Sequence, residues 1–129
     1  MTAPGWTDTA VWYAVYPLGM TGALHPTDPS EGHRLTRVEG WLDHLVSLGC
    51  NGLLLGPIFT SRSHGYDTLD YFSIDPRLGD DADFDSLVAA CHARGIRILL
   101  DGVFNHVSQD FPALQSALAS PDAPTADWF

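Results

Sequence analysis

The sequence predicts a parallel α/β fold. Short apolar runs at 11–18, 52–58 and 96–100 read as strands, apolar residues at helical spacing lie in the segments between them, and turn residues mark the junctions. A strand, helix, strand, long loop, helix, strand order implies parallel strands joined by right-handed crossovers.

Residues 11–18, Val-Trp-Tyr-Ala-Val-Tyr-Pro-Leu, are β-branched and aromatic and are closed by Pro17, the pattern of a first strand. A polar loop with Gly19, Gly22, Pro26, Pro29 and Gly32 follows. Leu35, Val38, Leu42 and Leu45 then recur at helical spacing, with Gly49 where a C-terminal cap belongs, so one crossover helix is expected. Residues 52–58, Gly-Leu-Leu-Leu-Gly-Pro-Ile, show no alternation and read as a second strand covered on both faces. Residues 59–79 form a long connection of the kind that tends to carry function. A second helix is expected from an N-cap at Asp83, through Phe84, Leu87, Val88 and Cys91, to Gly95. Ile96 to Leu100 forms the third strand, Phe111 to Leu118 a short helix, and residues 120–125 a turn-rich segment.

With 129 residues, 45% of them hydrophobic, the chain can bury one modest core and no more than one domain. A net charge of −10, with only six Lys and Arg scattered singly, leaves no basic face for nucleic acid or an anionic membrane. No apolar run approaches the roughly 20 residues of a membrane span, and the start, Met1-Thr2-Ala3-Pro4-Gly5-Trp6, lacks the basic and apolar regions of a secretory leader. A cytoplasmic location is expected. Cys50 and Cys91 lack metal or redox spacing and are expected to be buried, reduced thiols.

Chemistry concentrates after the third strand, where Asp101, Asn105 and His106 follow an apolar run. In parallel α/β proteins ligands bind at the carboxyl ends of strands. Asp101 can accept several hydrogen bonds or pair with a cation from another segment, or simply be satisfied by backbone amides. Asn105 suits a hard cation or a loop cap, and His106 suits a sugar hydroxyl, a carboxylate or a backbone partner. In the long loop, Gly65-Tyr66-Asp67 sets an aromatic face beside polar groups. That pairing holds a pyranose ring, although a packed turn tyrosine has the same sequence.

Together these segments resemble the α-amylase family of glycoside hydrolases, family 13, over nearly the whole chain. Trp12-Tyr13-Ala14-Val15-Tyr16-Pro17-Leu18 is similar to the family's first barrel strand, and residues 48–59, Leu-Gly-Cys-Asn-Gly-Leu-Leu-Leu-Gly-Pro-Ile-Phe, to its second. His64-Gly65-Tyr66-Asp67-Thr68-Leu69-Asp70-Tyr71 resembles the segment that follows, and Asp101-Gly102-Val103-Phe104-Asn105-His106 the block Asp-x-Val-x-Asn-His. Residues 111–115, Phe-Pro-Ala-Leu-Gln, and 126–129, Ala-Asp-Trp-Phe, further resemble the neopullulanase and cyclomaltodextrinase branch.

The resemblance implies that 1–129 make the first three βα units of a (β/α)₈ TIM barrel, incomplete in this chain, which needs about 250 residues. The chain would then end near the domain B insertion that follows strand 3. It implies that His106 and Tyr66 contact the sugar before the scissile bond, by hydrogen bond and by stacking. Asp101 would orient an Arg beside the nucleophile, in a supporting catalytic role. His64 and Asp67 would lie at the same rim. Asn105 matches a calcium ligand of many members, calcium being absent from others, and no cofactor is required. Ser63 stands where several exo-acting α-glucosidases carry Asp, which disfavours an exo-glucosidase pocket.

Retaining hydrolysis needs an Asp nucleophile and a Glu acid/base, and no Gly-x-Arg-x-Asp block occurs here. The implied function is therefore part of an α-glucan hydrolase or transglycosylase, inactive alone and completed by a second polypeptide after a gene split or a nick. The alternatives are a non-catalytic sugar-binding or interaction protein of the amylase fold, and a small α/β domain unrelated to sugars.

Overall fold

The computed structural model describes residues 5–24 and 32–129. Residues 1–4, at the start that lacks the features of a secretory leader, and the turn residues Pro26 and Pro29 lie outside the described residues. Three strands, β1 (Trp12–Val15), β2 (Gly52–Leu55) and β3 (Arg97–Leu100), form a parallel sheet in sequence order. The helices are α1 (Pro17–Met20), α2 (Thr36–Glu39), α3 (Leu42–Ser47), α4 (Asp81–Ala93) and α5 (Pro112–Ala119), with 3₁₀ turns at Gly5–Thr9 and Ala126–Trp128.

The register assigns the two sheet faces. Tyr13, Leu53 and Ile98 align, as do Val15, Leu55 and Leu100, and all six pack in the core with the helices. The opposite face carries Trp12, Gly52 and Arg97, then Ala14, Leu54 and Leu99. Leu99 is 47% exposed, so this second face is unfinished by the described residues. Here Trp12 lies over Gly52, where a Cβ would come within 2.4 Å of the indole. Trp6 meets Trp12 edge-on and stacks on the Arg97 guanidinium at 4.6 Å.

Three expectations are corrected. The first strand stops at Val15, because Pro17 has no N–H to continue a ladder and instead opens the one-turn helix α1. The single helix expected from Leu35 is two, broken at Gly40 and Trp41, where Val38 and Trp41 donate to carbonyls only three residues back. Its apolar face survives the break: Leu35, Val38, Leu42 and Leu45 are all at most 1% exposed. The N-cap of α4 is Asp80, not Asp83, and the two form a reciprocal capping box. Gly49 and Gly95 close α3 and α4 with φ of +80° and +69°, the left-handed geometry glycine adopts without a Cβ penalty.

Cys91 is buried and Cys50 half-buried, both as free thiols, and burial pushes the Cys91 thiol up to about 11. No helix among the described residues is long and apolar enough to cross a membrane.

Candidate functional site

The site lies past the carboxyl ends of β2 and β3. The Asp101 amide donates to the Leu55 carbonyl at 2.9 Å, carrying the ladder one residue beyond β3 and setting the carboxylate at the sheet's rim. The loop after β2 folds back on itself through bridges Phe59 to Ile74 and Ser61 to Thr68, which bring its tip to that rim. There the Tyr66 phenol lies beside the Asp101 carboxylate. Burial first, then the negative charge of Asp101, raises the Tyr66 phenol above its ordinary range. The ring of His106 reaches the Tyr66 carbonyl through Nε2 at 2.7 Å. Tyr66, Asp101 and His106, separated by up to 40 residues, thus meet in one cluster.

His64 joins it, since its Nδ1 accepts the Tyr66 amide at 3.2 Å and the two rings lie 6.2 Å apart. Asp67 faces its own turn. Its Oδ1 accepts the amides of Ser63 and His64, both at 3.1 Å, and its Oδ2 takes the Ser63 hydroxyl at 2.5 Å. Burial works to raise this carboxyl, but those donors outweigh it and hold it below the ordinary carboxylate range. Asn105 is exposed and bonds to none of these residues. No set of three His, Cys, Asp or Glu ligands gathers at Asn105 among the described residues.

Two groups escaped the sequence reading. Tyr16, just past β1, donates from its hydroxyl to the His64 carbonyl at 2.7 Å, and its ring lies 6.3 Å from that of Tyr66. Tyr71 donates to the Val103 carbonyl, joining the long loop to the segment after β3. The signal for Tyr16 was its place at a strand's carboxyl end, masked by reading the strand through residue 18.

The cluster therefore presents an exposed aromatic ring, two imidazoles and a carboxylate at the mouth of a parallel sheet, a set suited to a neutral polyhydroxyl ligand. Residues 25–129 match the family described as alpha amylase, catalytic domain. The chain belongs to the α-amylase family. Among the relatives of this α-amylase-family chain, an intracellular maltogenic amylase of Bacillus subtilis is 39% identical over 98% of the chain and 24% of its own length. Neopullulanase 2 of Thermoactinomyces vulgaris is 36% identical over 99% of the chain and 25% of its own length. The chain spans about a quarter of the length of these curated relatives. The ligand-free cyclic α-maltosyl-(1→6)-maltose hydrolase of Arthrobacter globiformis superposes with a TM-score of 0.82 at 38% identity, covering 99% of the chain and 33% of that structure.

The three strands accordingly correspond to the N-terminal part of the α-amylase-family TIM barrel. The unfinished sheet face with Trp12, Leu54 and Leu99 is its interior side, and the helix-packed face its outer side. Membership removes the reading of a small domain unrelated to sugars.

Proposed function

We propose that Tyr66, Asp101, His106 and His64 form one wall of the sugar site of a retaining α-glucan hydrolase or transglycosylase. The observation that carries this is the meeting of three residues past the ends of adjacent strands: His106 Nε2 reaches the Tyr66 carbonyl at 2.7 Å, and the Asp101 carboxylate lies beside the Tyr66 phenol. Tyr66 stacks on the pyranose before the scissile bond, and His106 bonds one of its hydroxyls. Asp101 keeps a free acceptor for an Arg of a later strand, whose charge then sits beside the nucleophile. Asp67 serves by shaping the turn.

The Asp nucleophile, the Glu acid/base and a second stabilising Asp come from further barrel strands, continuous with this sequence or on a second polypeptide. By itself the 129-residue chain is inactive in this reading. Relatives named maltogenic amylase, cyclomaltodextrinase and neopullulanase support maltooligosaccharides, cyclodextrins and pullulan as the substrates to try. The first of them is named intracellular, which supports a place inside the cell.

The experiment assays the complete barrel on those three glucans, with this chain and the complementary segment alone as controls. Turnover by the whole and by neither part is expected. Glucan binding without turnover in the whole would favour the non-catalytic reading, and absence of both would overturn the proposal.

A further inference from the structure

Behind the Tyr66 rim sits an ion pair between a buried carboxylate and a partly buried guanidinium. Asp75 has a side chain only 1% exposed, and Arg77 grips it as a fork, Nε to Oδ1 at 2.8 Å and Nη2 to Oδ2 at 2.7 Å. The guanidinium does more than neutralise that carboxylate. Its Nη2 also donates to the Ser61 hydroxyl at 2.8 Å, and its Nη1 to the Ser63 carbonyl.

Ser61 is saturated by this arrangement. Its hydroxyl donates to Asp75 Oδ2 at 3.2 Å and accepts from Arg77 and from the Gly65 amide, the latter at 2.9 Å, so all three of its hydrogen-bonding positions are used. A chain of bonds thus runs from Arg77 through Ser61 to the residue before Tyr66. Gly65 has φ +90°, and a Cβ there would approach the Pro57 ring to 3.0 Å, so the turn is seated against β2's end with no slack. The Arg77 charge also acts on the Tyr16 hydroxyl and on Asp67, which brackets the rim from its rear. Arg77 has no hydrogen bond to Tyr66, Asp101 or His106. Buried ion pairs rarely add net stability over apolar packing, whereas four directed donors fix a geometry.

We infer that Arg77 is a positioning residue: through Ser61 and Ser63 it holds the 61–67 turn so that Tyr66 meets the sugar in one orientation, an inference that rests on the reading of Tyr66 above. Lysine at 77 keeps the charge but cannot span a carboxylate, a hydroxyl and a carbonyl at once.

The test uses the complete barrel enzyme. Arg77→Lys is expected to lower kcat/KM on maltotriose by about tenfold to a hundredfold, the scale of small misplacements, with a melting shift of a few degrees and faster amide exchange at Gly65 and Tyr66. In a Tyr66→Ala background the same change is expected to cost no more than about twofold, because the group it positions is gone. Equal losses in both backgrounds, or unchanged exchange at Gly65, would overturn the inference. If Arg77→Lys does not fold, Ser61→Ala, which leaves the ion pair intact, takes its place in the same cycle, and equal losses or unchanged exchange overturn the inference there too. A wild-type barrel inactive on every α-glucan would remove the reading of Tyr66, and exchange at Gly65 would still decide whether Arg77 holds the turn.

Discussion

The His106 Nε2 lies 2.7 Å from the carbonyl oxygen of Tyr66, so a side chain that follows β3 is latched to the backbone of the turn that follows β2. A carbonyl only accepts, so Nε2 carries the proton. In the neutral ring Nδ1 is then left as an acceptor, and His106 meets a sugar hydroxyl by accepting its hydrogen bond rather than donating one.

That assignment is checked by histidine side-chain NMR, in which His106 is expected to show the Nε2–H tautomer in the absence of sugar. His106→Gln keeps a donor for the Tyr66 carbonyl, while His106→Ala keeps none. In the complete enzyme the alanine variant should lose about tenfold or more in kcat/KM, a hydrogen bond's worth and beyond, and the glutamine variant less. Equal losses would mean the latch to Tyr66 contributes nothing.

Tyr66 contributes a ring and a hydroxyl, which substitution separates. Tyr66→Phe removes only the hydroxyl beside Asp101 and should have a small effect on stability and on turnover. Tyr66→Ala also removes the stacking face and should reduce kcat/KM considerably further. Matching kinetics for the two variants would place the contribution in the hydroxyl.

The Asp75 carboxyl makes stability acid-sensitive. Burial works to raise it, but the hydrogen bonds and charge of Arg77 and the Ser61 amide outweigh burial, so in the fold it titrates below its ordinary range. A carboxyl lowered on folding stabilises fully above its unfolded value of about 3.9 and loses that contribution as pH falls through the folded one. Urea midpoints of the complete enzyme should therefore drop below about pH 4. Asp75→Asn should be weaker at neutral pH by about 3 kcal/mol, since it strands a partly buried Arg77, and should show a flatter acid limb. Parallel acid limbs would count against Asp75 as a source.

At Gly52 the constraint is steric. An added Cβ would meet three atoms of the Trp12 indole at 2.4–2.9 Å, and this ring is itself wedged against Trp6. Gly52→Ala should cost about 1–3 kcal/mol by overpacking, read as a lower denaturant midpoint. An unchanged midpoint would show that Trp12 swings away freely.

Much of this was legible because period and burial coincide: Leu53 and Leu55 announced a covered strand, and Leu87 and Cys91 the inner stripe of α4. The break at Gly40 was not, because Leu35, Val38, Leu42 and Leu45 are spaced alike in one helix and in two turns joined by three-residue-back hydrogen bonds. Asp80 and Asp83 are both good caps, and only the fold decides which carboxylate faces the free amides. At the site, Asp101 and His106 were singled out by the strand-end rule and Tyr66 by the long loop that carries it, and the fold brings the three together. Arg77 was not, because its contacts with Ser61 and Ser63 exist only after residues 59 and 74 pair and turn the loop back.

The strands stand in the sheet in the order in which the ribosome delivers them. Each crossover therefore closes onto an edge already made, keeping the loop-closure cost small and the folding contacts local. Growth is one-directional: β3 is the advancing front, while the flank of β1, Trp12–Val15, pairs with no other strand among the described residues and stays open from the moment the sheet begins.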